Sequence, residues 1–155
     1  MSWSFELPRR EPPLSVNAAR RVHWARVHRE HRLWSDTAAA ACLAAIPAAA
    51  RKRLGAVHIV LRVRPPDRRK RDSDNLVAHL LKPVKDGIAW ALDLPDDTDR
   101  YCSWQVVLEP PDGERRWRYV VEVSQREEGR EPTRVPSDPT PVFESGPARE
   151  VIAST

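Results

Sequence analysis

The fold is decided by the stretch Val57-His58-Ile59-Val60-Leu61-Arg62-Val63-Arg64. Every second residue, starting with Val57, is large and apolar, and a histidine and two arginines lie among the residues between them. This alternation predicts a strand with one buried face, because successive side chains of a strand point to opposite sides of the sheet. The Pro65-Pro66 pair then ends the strand, since proline has no amide hydrogen for a neighbouring strand.

Two stretches with helical spacing of apolar residues flank this strand. The first precedes it, and Pro47 ends or kinks that helix. Its inward face is predicted to carry Val27, His31, Trp34, Ala38, Cys42 and Ala45. The second starts near Asp74, whose carboxylate can cap the first turn, and runs to about Leu92. Its inward face is predicted to carry Leu76, Leu80, Val84, Ile88 and Ala91.

Three further stretches have the composition of strands: residues 1–7, 101–108 and 117–123. The last two are joined through Pro110-Pro111-Asp112-Gly113, which predicts a hairpin. Together these elements indicate an α+β fold, a single domain in which a small mixed sheet of about four to five strands packs against two main helices. Residues 1–124 form this domain, and residues 125–155 are predicted to be a proline-rich, charged, disordered tail.

Charge is distributed unevenly along the chain. Residues 1–125 contain 22 basic and 16 acidic residues, whereas the remaining residues contain 4 and 6. An arginine-rich body favours a polyanionic partner, because guanidinium groups pair well with phosphate oxygens. The simpler interpretation is an ordinary charged, solvated surface.

The same composition points to a protein of the reducing cytoplasm. Two cysteines, Cys42 and Cys102, are too few for a disulfide framework, and we expect both to be small buried groups. The sequence contains no apolar run of about 18 residues, so no membrane span is predicted. The opening residues alternate as a strand does and do not resemble a signal peptide.

The strongest chemical signal follows the Pro65-Pro66 pair. The basic run Arg68-Arg69-Lys70-Arg71 leads into Asp72-Ser73-Asp74-Asn75-Leu76, and Pro95-Asp96-Asp97-Thr98 comes about twenty residues later. Carboxylates from two such positions can share one hard divalent cation, and oxygen ligands without histidine or cysteine suit Mg²⁺ or Mn²⁺ rather than Zn²⁺. Turn and helix-cap chemistry explains one aspartate of the first pair but not both.

Other binding sites are less well supported. The Asp-x-Asp-Asn start resembles a calcium loop, but the sixth position is Val77 and not glycine. His28 and His31 have helical spacing but no obvious partners for zinc, and Trp24 or Trp34 can belong to the core. A non-catalytic DNA-binding module would need the basic body but not the downstream aspartate pair.

The pattern of these motifs resembles the RusA family of Holliday junction resolvases, which are common in phages and prophages. Residues 69–76, then Leu81-Lys82-Pro83-Val84-Lys85-Asp86-Gly87, then Asp96-Asp97 match the order and approximate spacing of that family. A weaker likeness lies in Pro12-Pro13-Leu14-Ser15-Val16-Asn17, where the family has a Pro-Pro-Ser-x-Asn loop. The resemblance covers roughly residues 3–123 and leaves the tail unexplained.

The resemblance implies a homodimeric, Mg²⁺-dependent endonuclease that cuts four-way DNA junctions, with Mn²⁺ as a substitute ion. It implies Asp72, Asp74 and Asp97 as metal ligands and catalytic residues. The family lysine falls on Ala78 by spacing, so Lys82 either takes its catalytic role, contacts the DNA backbone or is a surface lysine. Asp86 is expected to support the site or to form a surface ion pair.

DNA contacts are expected from two stretches of the chain. These are residues 68–71, beside the metal ligands, and the first loop, where a crossover could be touched. The named residues are Arg68, Arg69, Lys70, Arg71, Asn17, Arg20 and Arg21. A metal nuclease that acts on flaps or replication forks would use the same carboxylates, so the sequence leaves that alternative open.

Overall fold

Residues 1–69, 71, 77–95 and 98–126, described here from a computed structural model, form a mixed four-stranded sheet. The strands are β1 (Ser2–Glu6), β2 (Val57–Arg64), β3 (Cys102–Leu108) and β4 (Arg118–Gln125). Their order in the sheet is β1-β4-β2-β3. β4 runs antiparallel to both β1 and β2, whereas β2 and β3 are parallel. The predicted single α+β domain with a mixed sheet is confirmed.

The helices of the described residues begin with α1 (Val16–Ala19), α2 (Trp24–Ala45) and α3 (Ala48–Arg51). A π-helical turn, Val77–Leu81, then leads into α4 (Lys82–Ala91). The two long helices α2 and α4 pack against each other and cover one face of the sheet. In the described ranges, no helix combines the length and apolarity that crossing a bilayer requires.

β2 supplies the centre of the core. Its alternate residues Val57, Ile59, Leu61 and Val63 are fully buried beneath the helices, as the sequence pattern predicts. The inward residues of α2 include Trp34, Ala38 and Cys42, which are fully buried, while Val27, His31 and Ala45 are half-buried. On α4 and its preceding turn, the buried residues include Leu80, Val84, Ile88 and Ala91. Both predicted helix faces are confirmed over the described residues, which do not include Leu76.

The start of the second helix differs from the prediction of one regular helix. Residues Val77–Leu81 form a π-helical turn, and regular α-helix begins only at Lys82. Pro83 explains the change, because it has no amide hydrogen to donate and its ring collides with the carbonyl four residues earlier. Asp74, the predicted cap, lies outside the described residues.

The predicted hairpin between β3 and β4 is wrong. β2 lies between these two strands, so the connection 109–117 crosses the end of β2 instead of turning back on β3. Arg64, the last residue of β2, binds Glu109 and Asp112 of this connection at 2.6 and 3.0 Å. These ion pairs hold the connection over β2.

Both cysteines belong to the described residues, and both are buried without a disulfide between them, as expected. Cys42 lies on the inner face of α2, and burial raises the pKa of its thiol to about 11. The thiol therefore stays protonated at neutral pH and behaves as a small core group.

We expect Gly87→Ala to destabilise the protein by about 3 kcal/mol and to lower the melting temperature by roughly 10 °C. A β-carbon at Gly87 would collide with the backbone carbonyl of Ser35 on α2, so the two helices would have to separate. Gly113→Ala is the matched control, because a β-carbon there meets no atom within 4 Å, although its φ of +90° costs about 1 kcal/mol. Thermal unfolding of both variants measures the difference, and equal losses would contradict the steric explanation.

Candidate functional site

One end of the sheet gathers the loops that carry most of the predicted DNA contacts. β1 and β2 finish there and β4 begins there, since Glu6 pairs with Val120 and Arg64 pairs with Arg118. We call this end, with the loops 7–23 and 109–117, residues 65–69 and Arg71, the loop end. The first turns of α2 lie beside it, because Arg9 of the first loop binds Glu30 of α2 at 3.3 Å. The π-helical turn lies against α2, because His31 and His79 are in contact.

The predicted DNA-contact residues that the structure describes are exposed on loops that start at the loop end. Asn17 is exposed on α1, and Arg20 and Arg21 are exposed directly after it. Arg68 and Arg69 are exposed on the loop that follows β2. Both loops therefore carry exposed cations and start where β1 and β2 end, although about fifty residues separate them in the sequence.

Arg71 is held within the loop. Its guanidinium binds the Asp67 carboxylate at 2.9 Å and donates to the backbone carbonyls of Asp67 and Arg69, each at 3.1 Å. The same group lies 4.8 Å from the ring centre of Trp117. The Arg69 amide and the Arg71 guanidinium hold the pKa of Asp67 below its ordinary value. Arg71 thus stabilises the loop from which Arg68 and Arg69 project.

The first loop is also fastened to the core. The Arg9 guanidinium lies 4.3 Å from the ring centre of Trp34 and binds Glu30 at 3.3 Å. The Tyr119 hydroxyl donates to the carbonyl of Glu11 at 2.6 Å. Trp34 is fully buried. Of the two tryptophans that the sequence offered as core residues, Trp34 therefore is one. The loop that carries Arg20 and Arg21 is therefore anchored at its start.

Two histidines from distant parts of the chain meet beside the loop end. The His31 Nε2 and the His79 Nδ1 lie 2.9 Å apart, so one imidazole donates a hydrogen bond to the other. Burial and the His79 imidazole lower the pKa of His31, as do His28 and Lys82, while Asp86 opposes them. Sequence reasoning missed this pair, because 48 residues separate its members.

We expect the protein to lose stability as the pH falls below 6.5, the ordinary pKa of histidine. The lowered pKa means that the unfolded chain takes up the proton of His31 before the folded chain does, so stability is full above 6.5 and decreases below it. His31→Gln should reduce this dependence while keeping a group that can hydrogen-bond to His79. Melting temperatures at pH 7.5 and 5.5 test this, with His58→Gln on the open face of the sheet as the control. An unchanged dependence in His31→Gln would rule out His31 as the cause.

Lys82 begins α4, directly after the π-helical turn, and its side chain is exposed. Its Nζ lies 3.3 Å from both carboxylate oxygens of Asp86, one helical turn later. Asp86 therefore has the ion-pair role that the sequence gave as one of two alternatives.

The predicted metal ligands Asp72, Asp74 and Asp97, together with Lys70 and Asp96, lie outside the described residues. The described neighbours of the two acidic segments lie at opposite ends of the sheet. Arg71 is at the loop end, whereas the Thr98 carbonyl accepts hydrogen bonds from Tyr101 and Cys102, at the start of β3. The eight residues of β2 run from the start of β3 to the loop end, a distance of roughly 23 Å. Among the described residues, no three histidine, cysteine or acidic side chains are placed to hold a metal.

The arginines of the open sheet face are neutralised by carboxylates. Arg62 binds Glu122 at 2.7 Å, and Arg118 binds Asp112 at 3.2 Å and Glu6 at 3.4 Å. The Glu114 amide and the arginines Arg64 and Arg118 lower the pKa of Asp112 to about 2. This charge-balanced network makes Arg62 and Arg118 less available to phosphates than the exposed arginines Arg20, Arg21 and Arg68.

A scan against protein-family models found no match for this chain, and a search of curated proteins also found none.

Proposed function

We propose that this protein is a Mg²⁺-dependent, structure-specific endodeoxyribonuclease that resolves four-way DNA junctions by paired phosphodiester hydrolysis during recombination and repair. The observation that supports this most directly is that two loops rich in exposed cations, 7–23 and 65–69, start at the same end of the sheet, where β1 and β2 finish. The acidic motif at residues 72–74 begins three residues after the second of these loops. The two buried, unbridged cysteines suit a reducing cytoplasm.

The donor set fits a hard divalent ion, because Asp72, Asp74 and Asp97 offer only carboxylate oxygens. These residues would hold Mg²⁺, or Mn²⁺ in its place. The ion supplies polarisation of the scissile phosphate and activation of a water molecule. Arg68 and Arg69 would hold the phosphates that flank the cut, and the Lys82 ammonium would offset negative charge that develops on the phosphate.

A homodimer is part of this proposal. Two cuts on opposing strands of a symmetric junction are most simply made by two sites related by a two-fold axis. The opposite placement of Arg71 and Thr98 favours a shared site, in which Asp97 of one subunit joins Asp72 and Asp74 of its partner. Such an arrangement needs no carboxylate to reach along the length of β2.

The test is a cleavage assay with labelled four-way, fork, flap and duplex DNA in Mg²⁺, Mn²⁺ or EDTA. We expect paired cuts in the four-way junction that require the metal, and little cutting of duplex. If forks or flaps were cut as fast as the four-way junction or faster, they would be the substrates of the nuclease instead of the junction. Tight, metal-independent binding without cutting, unchanged by Asp72→Asn, would identify a DNA-binding module instead.

A further inference from the structure

Trp24 is an exposed aromatic side chain beside the loop end. It is the first residue of α2, and 67% of its surface is accessible. The rings of His23 and His28 lie 5.5 Å from its ring, centre to centre, on either side of it in the sequence. Trp34, ten residues later on the same helix, is by contrast fully buried. Trp24 therefore contributes little to the core, and its ring is available to a ligand.

The surroundings of Trp24 are strongly basic. Residues 16–33 contain five arginines and one acidic residue, Glu30, whose carboxylate is already bound to Arg9. The nearest arginines are exposed, and within the part of the chain that the structure describes they have no carboxylate partner. These arginines are Arg20, Arg21, Arg26 and Arg29. An exposed aromatic ring among unpaired guanidinium groups is the combination that binds unstacked nucleic acid.

We propose that Trp24 is a stacking platform for a nucleobase whose face is exposed at the branch point of DNA, with Arg20, Arg21 and Arg26 on the adjoining phosphates. This inference deepens the proposed nuclease function and rests on it for the identity of the nucleic acid. In continuous duplex DNA both faces of each base are covered by neighbouring bases. At a branch point a base face becomes accessible, so stacking on Trp24 distinguishes branched from continuous DNA.

The position of Trp24 suits this role. Trp24, His28 and His31 are spaced by four and three residues and so share one face of α2. His31, the last of the three, contacts His79 of the π-helical turn. Along the helix axis, Trp24 is about 10 Å from His31, which equals the rise of roughly three base pairs. The stacked base would therefore lie a few nucleotides from phosphates bound at the loop end.

A second exposed tryptophan provides a matched comparison. Trp90 on α4 is 72% accessible, but it borders an apolar groove of about 410 Å³. Leu43, Ala40 and Asp36 line that groove, and no arginine does. Trp90→Ala thus removes a ring that is about as exposed as Trp24, but it leaves the basic surface around Trp24 unchanged.

The experiment uses the full chain in EDTA, with four-way and fork DNA that carries 2-aminopurine at the branch point. We expect the wild type and Trp24→Phe to change the fluorescence of the probe, and Trp24→Ala to lose this change. Trp24→Ala should bind branched DNA about tenfold more weakly, with a smaller change for continuous duplex. Trp90→Ala should keep the fluorescence change of the wild type.

A wild-type signal in Trp24→Ala, an equal loss in Trp90→Ala, or the absence of DNA binding by the wild type would each overturn the proposal. Since binding is measured without Mg²⁺, its outcome is independent of cleavage. Stacking without any metal-dependent cutting would refute the nuclease function alone. Metal-dependent cutting together with a fluorescence change and an affinity that do not depend on Trp24 would refute the stacking role alone. Circular dichroism of Trp24→Ala checks that the variant is folded, as its exposure leads us to expect.

Discussion

Asp74→Asn is expected to reduce Mg²⁺-dependent cleavage of a four-way junction by at least about a hundredfold, and Asp72→Asn should do the same. Asparagine keeps the size of the side chain but removes the charge that a divalent ion needs. Binding of the junction should be preserved or even strengthened, because one negative charge less repels the phosphates. Cleavage in Mg²⁺ and binding in EDTA, measured on the same labelled junction, separate the two effects.

Asp36→Asn is a suitable control for this experiment. Asp36 is an exposed carboxylate on α2 whose only ion pair within the described residues is a 3.8 Å contact with Arg32, so its loss should change neither cleavage nor stability appreciably. If Asp72→Asn or Asp74→Asn still cut the junction in Mg²⁺, the assignment of these residues as metal ligands would be refuted. If the control lost activity as well, the effect would belong to overall charge.

The local elements of this fold are predictable from the sequence, because their signals repeat within a few residues. The alternation in β2 and the helical spacing around Trp34 correspond to buried faces in the structure. The neighbours of β4 in the sheet were not predictable in this way. β4 pairs with β2, sixty residues away, rather than with the preceding strand β3, and pairing at that distance has no local signature.

The site was predictable in part, for similar reasons. The exposure of Arg20 and Arg68 was predictable, because short polar segments between regular elements lie at the surface, whereas their contact with DNA stays a prediction. The contact of Arg71 with Trp117 and the pairing of His31 with His79 depend on tertiary packing. Trp24 fits the helical spacing of the core residues and is nevertheless exposed, because α2 begins there.

A heterodimer of Asp74→Asn and Asp97→Asn subunits is expected to regain cleavage, although each variant alone is inactive. If Asp97 joins the Asp72 and Asp74 of its partner, one of the two sites in the heterodimer contains three intact aspartates. The other site then contains both substitutions and is inactive. Co-expression with two different tags and purification on both yields the heterodimer. Its nicking rate on a four-way junction should be about half that of the wild type, whereas paired cutting should remain low.

The geometric reason is the separation between the described neighbours of the two acidic segments. Arg71 lies over Trp117 at the loop end and Thr98 lies at the start of β3, roughly 23 Å away along β2. A heterodimer of Asp72→Asn and Asp74→Asn subunits is the matched control, since both changes fall in the same segment and every site then contains one of them. Activity in the control, or none in the Asp74→Asn and Asp97→Asn heterodimer, would contradict the shared site. A failure of the two tagged chains to purify together would contradict the homodimer itself.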